Sequence, residues 1–214
     1  LEAKQQALLN NQLELEDKVK QRTMALEIAN RKLKDMAERD PLTNLYNRRY
    51  AEKQFLHIQH LSERSKDTIA VVLLDLDFFK KVNDQFGHHT GDKVLQSLTE
   101  HISRRLRKTD SLFRFGGDEF AVLLPGKTAQ EAFAVAYNLL EVVKEFRFFW
   151  QDSLFSISVS IGLTEITLDD LSAEQTIKKA DSACFVAKEK GRNNFVSYGK
   201  HMNADAVERL QIES

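Results

Sequence analysis

Two acidic clusters in this chain have the residue types that hold a hard cation beside a phosphate. The first is Arg114-Phe-Gly-Gly-Asp-Glu-Phe120, set between two strand-like runs, Ser111–Phe115 and Glu119–Leu124. A glycine pair between strands makes a tight hairpin, because only glycine enters positive φ without steric cost. Asp118 and Glu119 on that turn are poor packing residues and good oxygen ligands. The second cluster, Asp75-Leu-Asp77-Phe-Phe-Lys80, closes the apolar run Ile69–Leu74. A continuous apolar run reads as a central strand buried on both faces, with its acids at the exposed end. Asp75 and Asp118 are expected to share one small volume, where two carboxylates repel and a divalent cation resolves the conflict. Mg²⁺ takes one or two carboxylates plus water and phosphate oxygens, which matches this supply; Mn²⁺ is the substitute. Phe78–Lys80 opens the next helix, whose N–H groups and Lys80 suit the oxygens of a nucleoside polyphosphate. In the plainer alternative, Asp75 or Asp77 only caps that helix. The two phenylalanines are read as core residues that offer the ligand their backbone N–H groups rather than their rings.

The elements that must position these groups alternate along the chain. Asn47–Arg64 reads as a helix, Thr68–Asp75 as a strand, Phe79–Gln85 as a short helix and Thr90–Arg107 as a longer one. After the acidic hairpin, Thr128–Phe146 is helical. Phe146–Trp150 and Leu154–Thr164 read as strands joined by a turn at Gln151–Ser153. Ala173–Glu189 is a helix, Phe195–Tyr198 a last strand and His201–Ile212 a terminal helix. The fold class is α+β, a two-layer ferredoxin-like palm with a βααββαβ core.

Residues 1–38 contain no Gly or Pro. Leu8, Leu15, Ala29 and Met36 recur at seven-residue spacing, with Arg22 interrupting the row, and Val19, Leu26 and Leu33 form the complementary row. This heptad seam predicts a helix of roughly 57 Å, at 1.5 Å per residue, that pairs as a parallel dimeric coil. The alternative is an amphipathic helix packed on its own domain. Asp40-Pro41 ends it, since proline disfavours helix in the residue before it. The expected segments are therefore a coil at 1–38, a globular domain at 39–199 and a linker helix at 200–214.

The whole chain has 214 residues, a formal net charge of −1, 42% hydrophobic and 29% charged residues, and one cysteine, Cys184. A packed core is affordable at that composition, and with no long basic face nucleic acid is not an expected partner. A lone cysteine rules out an internal disulfide framework and fits a reducing compartment, so a cytoplasmic location is expected. The chain opens at Leu1 inside a helical pattern. That reads as a piece of a longer protein, and a membrane segment upstream is left open.

Four motifs in order carry a family resemblance. They are Asp40-Pro-Leu-Thr-Asn-Leu-Tyr-Asn-Arg-Arg49, the run from Asp75 through Asn83 and His88 to Asp92, Gly116-Gly-Asp-Glu-Phe120, and Ala187-Lys-Glu-Lys-Gly-Arg-Asn193. With these the chain, over about residues 38–198, resembles the GGDEF-domain diguanylate cyclases, which join two GTP molecules into cyclic di-GMP and release pyrophosphate. One departure is Asn44, where the family usually has glycine.

The resemblance implies Mg²⁺ held by Asp75, Asp118, the Leu76 carbonyl and Glu119, with Asp118, Glu119 and Asp75 as the catalytic acids. It implies that Asn83 and Asp92 read guanine, which a carboxylate and an amide can do by donor–acceptor pattern. His88 would lie by the nucleotide or serve as a turn residue. Lys80, Lys188 and Arg192, with Phe78 and Phe79 through their backbone, would hold phosphates; the alternative for the lysines and arginine is a solvated helix end. Each domain would bind one GTP, so a homodimer is needed to close the ring. Arg107-Lys-Thr-Asp110 matches the family's product-inhibition motif, the alternative being a helix-end arginine and a turn aspartate. The following helix has Lys144 but no arginine to complete that site. A non-catalytic GTP or cyclic di-GMP sensing module, regulating an attached domain such as an EAL phosphodiesterase, is the rival reading. Such modules usually lose an acid or a glycine of the signature, and this chain keeps them all.

Overall fold

The computed structural model describes residues 2–65, 68–150, 153–166 and 172–199. The chain divides into two compact units, Leu1–Arg39 and Asp40–Ser214. The terminal helix expected at His201–Ile212 lies outside the described residues.

The first unit is one helix, α1 (Glu2–Glu38). Polar pairs four residues apart line it, among them Lys18 with Glu14 at 2.6 Å and Gln21 with Asp17 at 3.0 Å. Such exposed pairs contribute only about 0.3–0.5 kcal/mol each. The heptad seam is bare in the single chain: Leu15, Val19, Leu26, Leu33 and Met36 are all more than half exposed. No helix among the described residues is long and apolar enough to cross a membrane.

The second unit begins with a turn. The Asp40 carboxylate accepts from the backbone N–H and hydroxyl of Thr43, at 2.8 and 2.7 Å. Asn44 sits at φ 59°, a left-handed position that asparagine tolerates as glycine does, which explains why the family's glycine can be replaced here. Then follow β1 (Tyr46–Asn47), α2 (Arg48–Ser65), β2 (Ile69–Asp77), α3 (Phe79–Phe86), α4 (His88–Ser103), β3 (Ser111–Gly116) and β4 (Glu119–Pro125). The remainder is α5 (Ala129–Glu145), β5 (Arg147–Trp150), β6 (Ser153–Ser156), β7 (Ser158–Ile166), α6 (Ala173–Glu189) and β8 (Asn194–Ser197). From β2 to β7, leaving out the β5–β6 hairpin, this is the βααββαβ palm.

The main sheet has the order β1-β3-β4-β2-β7-β8. β2 is central and antiparallel to both neighbours. Its alternating side chains serve two cores. Ala70, Val72, Leu74 and Leu76 pack with Val94 and Leu98 of α4 and Leu139 and Val143 of α5. Val71 and Leu73 pack with Phe55 of α2 and Ile177 and Ala180 of α6. The palm helices therefore cover one face, and helices added outside the palm cover the other. Burial on both faces is why β2 reads as an unbroken apolar run.

Several boundaries differ from the sequence reading, among them the longer helix expected at Thr90–Arg107, which is α4 at His88–Ser103. β2 continues to Asp77, so Asp77 rather than Asp75 ends the strand. Asn47 belongs to β1, a two-residue strand parallel to β3, too short to leave a period. The single strand expected at Leu154–Thr164 is two: β6 pairs with β5 in a separate hairpin, and β7 inserts beside β2. The break is at Ile157, which is buried in the palm core. Residue alternation persists through it, so period alone could not show the change of sheet.

Candidate active site

The hairpin tip is built by backbone conformation. Gly116 and Gly117 take φ 149° and 49°, and the ladder shifts register between Arg114 and Gly116. Asp118 lies at the turn, and Glu119 stands directly opposite Asp75 across β2 and β4. Opposed residues in an antiparallel pair project on one face with Cβ atoms about 5 Å apart. The Leu76 N–H donates to the Asp118 carbonyl at 3.2 Å, tying the tip to the end of β2. The structure thus brings Asp75, Leu76, Asp118 and Glu119 together.

Arg114 holds this tip from behind. It is 9% exposed; its Nε and Nη2 donate to the Gly117 carbonyl at 3.2 and 2.8 Å, and its Nη1 to Asp40 Oδ1 at 2.8 Å. Asp40 lies 74 residues earlier in the chain. Burial pushes the Asp40 carboxyl up, but hydrogen bonds from Arg114 and Thr43 outweigh it, and the net shift is downward. Both residues stand within sequence motifs, and nothing local in the sequence joins them.

α6 supplies the counter-charge. Lys188 Nζ donates to Asp75 Oδ2 at 2.6 Å. Burial raises the Asp75 carboxyl, Lys188 pulls it back, and Asp118 and Asp77 add repulsion; it ends above its ordinary value. Glu119 is raised by burial and then by Asp75, Asp181 and Asp118. Burial alone would lower the Lys188 ammonium, but Asp75 outweighs it and raises it. One ammonium therefore faces several crowded carboxylates, the electrostatic condition that favours a further cation. Among the described residues no three of His, Cys, Asp or Glu enclose a metal by themselves.

Asp77 does not cap α3, which has no side-chain cap at all. It is buried, accepting from the hydroxyls of Ser158 and Ser160 at 2.7 Å each and from the Asn193 N–H at 3.1 Å. Arg192 Nε stands 4.0 Å from it. Phe79 is buried as expected, but Phe78 is not a core residue: it is 53% exposed. Its left-handed backbone, φ 58°, turns the residue out of the strand before α3 begins. Lys80 is exposed on the first turn of α3.

Asn83 on α3 and Asp92 on α4 flank one another through Gly91. A methyl group on Gly91 would press on the Asn83 side-chain oxygen, so a larger residue there would displace the Asn83 amide. Asn83 is half-buried and Asp92 exposed. His88 stands exposed as the first residue of α4.

Arg107 lies beyond the end of α4 rather than in it. It is exposed, while Asp110 Oδ2 accepts from the Arg107 N–H at 2.9 Å and closes a turn. A separate depression of about 500 Å³, lined by Arg104, Arg105 and Arg147, contains none of the clustered acids. Cys184 is buried, its thiol pushed up to about 12 by burial, and is inert as a nucleophile.

Comparison with known proteins bears on this arrangement. The family model described as "Diguanylate cyclase, GGDEF domain" matches residues 37–194. The chain is 34% identical over 182 residues to the probable diguanylate cyclase DgcE of Escherichia coli (strain K12), covering 85% of this chain and 16% of that protein. It is 33% identical over 172 residues to diguanylate cyclase A of Treponema denticola, covering 79% of this chain and 46% of that one. The chain thus spans less than half the length of these relatives. A solved structure of the coiled coil and GGDEF domain of DgcB from Caulobacter crescentus, in complex with c-di-GMP, superposes with a TM-score of 0.75. That pair is 29% identical and covers 86% of this chain and 98% of the other.

Proposed function

Because the chain belongs to the diguanylate cyclase GGDEF-domain family, we propose that it condenses two GTP molecules into one cyclic di-GMP and two pyrophosphates. The observation that carries this is the registered Asp75–Glu119 pair, with Asp118 tied to Leu76 and Lys188 beside it.

Asp75, Asp118, Glu119 and the Leu76 carbonyl are hard oxygen donors whose mutual repulsion fits Mg²⁺, or Mn²⁺ in its place. When bound, that cation supplies charge neutralisation at the α-phosphoryl group and acidifies the attacking hydroxyl. Lys80, Lys188, Arg192 and the N–H groups at the start of α3 bind the triphosphate. Lys188 must then share itself between Asp75 and the phosphates. Asn83 and Asp92 accept from guanine N1–H and N2–H₂, a donor pair adenine lacks, and His88 borders that base. The 3′-oxygen of one GTP bonds to the α-phosphorus of the other. The bond to pyrophosphate breaks with its electron pair, and the hydroxyl proton passes to Asp118 or Glu119. A carboxylate is a weak base for an alcohol, so alignment and charge stabilisation supply most of the rate.

One domain holds one nucleotide, so two domains must face each other about a twofold axis. The bare apolar seam of α1 supports a homodimeric coil that raises their local concentration. Exposed Arg107 and neighbouring Asp110 are the groups that would take cyclic di-GMP as a feedback inhibitor.

The test is incubation of purified protein with GTP and Mg²⁺, with identification of the product and with Asp118→Ala and Glu119→Ala as controls. Cyclic di-GMP formation, lost in both controls, is the expected result. GTP binding without turnover would instead identify a sensing module.

A further inference from the structure

Phe78 combines three features, two of which cost free energy. The residue is 53% exposed to water. Its backbone is left-handed at φ 58°, a strained region for a bulky residue. Two cationic groups are gathered over it: Lys81 Nζ lies 4.4 Å and Arg192 Cζ 4.6 Å from the ring centroid. The negative face of an aromatic ring attracts a cation, and arginine is the more frequent partner. Arg192 is itself at φ 63° and Asn193 at φ 48°, so three of the four left-handed non-glycine residues described meet here. Asp77 ties them by accepting the Asn193 N–H while lying 4.0 Å from Arg192 Nε. Strain and exposure at a residue whose ring holds two cations indicate a place arranged for something that arrives later. A polyanion is the ligand that a pair of cations held by one residue favours.

We propose that the Phe78 ring is a positioning residue which holds Arg192, and with it Lys81, ready for the triphosphate of GTP. Lys81 thereby becomes a phosphate-facing cation in addition to Lys80, Lys188 and Arg192. This inference rests on the diguanylate cyclase reading, but it concerns the phosphate tail and not the guanine. The ring acts through the guanidinium and does not stack on the base.

The experiment measures binding of Mg²⁺–pyrophosphate, and of a GTP analogue not cleavable between the α and β phosphates, by calorimetry. It compares wild type, Phe78→Leu, Phe78→Gly and Phe78→Tyr. Phe78→Leu keeps apolar bulk without a π face. Phe78→Gly removes the ring while relieving the backbone, so its melting temperature is expected to match or exceed that of wild type. Both should weaken the two ligands by about three- to tenfold, the scale of one or two exposed cation–π contacts. Phe78→Tyr should bind like wild type. In turnover assays KM for GTP should rise while kcat stays within about twofold. Wild-type binding of both ligands together with unchanged affinity in Phe78→Leu and Phe78→Gly overturns the role of the ring alone. Weakened GTP-analogue binding with unchanged pyrophosphate binding also overturns it and assigns the ring to the base. A wild type that binds neither ligand removes the cyclase reading and this inference with it.

Discussion

Arg114 and Asp40 are joined by a 2.8 Å hydrogen-bonded ion pair, and the same guanidinium holds the carbonyl of Gly117 on the acidic hairpin. The placement of Asp118 thus depends on a residue that leads the chain into the domain. A planar fork is required, because three donors address two acceptors at fixed angles. Arg114→Lys keeps the charge and loses the fork. It is expected to lower GTP turnover at least tenfold and to destabilise the fold by about 1–3 kcal/mol, the cost of leaving a buried hydrogen-bonding group without its partner. Urea denaturation with parallel product assays checks this, and wild-type values in both would show the clamp to be dispensable.

The Asp40 carboxyl is held below its ordinary value of 3.8 in the folded chain. A lowered acid adds stability above the unfolded value, and that stability is lost as pH falls through the folded value. Asp40→Asn should therefore be less stable than wild type at neutral pH, by about 1.5–3 kcal/mol, the scale of a hydrogen bond to a charged group. The gap should narrow only below about pH 4. Melting curves from pH 2.5 to 7 decide; a gap that widens on acidification contradicts the assignment.

Glu119 shows the opposite sign. Burial and its acidic neighbours hold it above its ordinary value of 4.5, so its charge opposes folding once ionised. Glu119→Gln is expected to stabilise the ligand-free protein by about 0.5–1 kcal/mol above that pH while cutting cyclic di-GMP synthesis by at least a hundredfold. At pH 3 the two proteins should melt together. A less stable variant at neutral pH would mean that the acid is structural.

Removing residues 1–36 strips the heptad rows. The shortened protein should be monomeric in sedimentation at micromolar concentration and nearly inactive there. Its specific activity should recover as concentration rises, because association replaces the tether. Full activity at nanomolar concentration would leave the coil without this role.

Cyclic di-GMP is expected to inhibit wild type, and Arg107→Ala to relieve that inhibition by about tenfold in concentration, the effect of one arginine–phosphate contact. Superimposable titration curves would dismiss Arg107 and Asp110 as a feedback site.

The acidic clusters, the central strand and the palm order are legible in the sequence, because each follows from neighbours along the chain. Glycines declare a turn, an apolar run declares burial, and an alternation of periods declares helix or strand. The long polar helix with its apolar rows is legible for the same reason. Contacts between distant residues were not. Asp40 to Arg114 and Asp75 to Lys188 are pairings that only a folded sheet with α6 against it can make. The change of sheet at Ile157 was hidden because alternation persists across it, and hydrogen bonding to β2 or β5 alone decides which side takes the strand. Phe78 is the clearest instance. Its sequence neighbours suggest a core phenylalanine, yet a single left-handed φ angle puts its ring outside beneath two cations. Chemical type is a property of the residue; direction is a property of the backbone, which is set by everything packed around it.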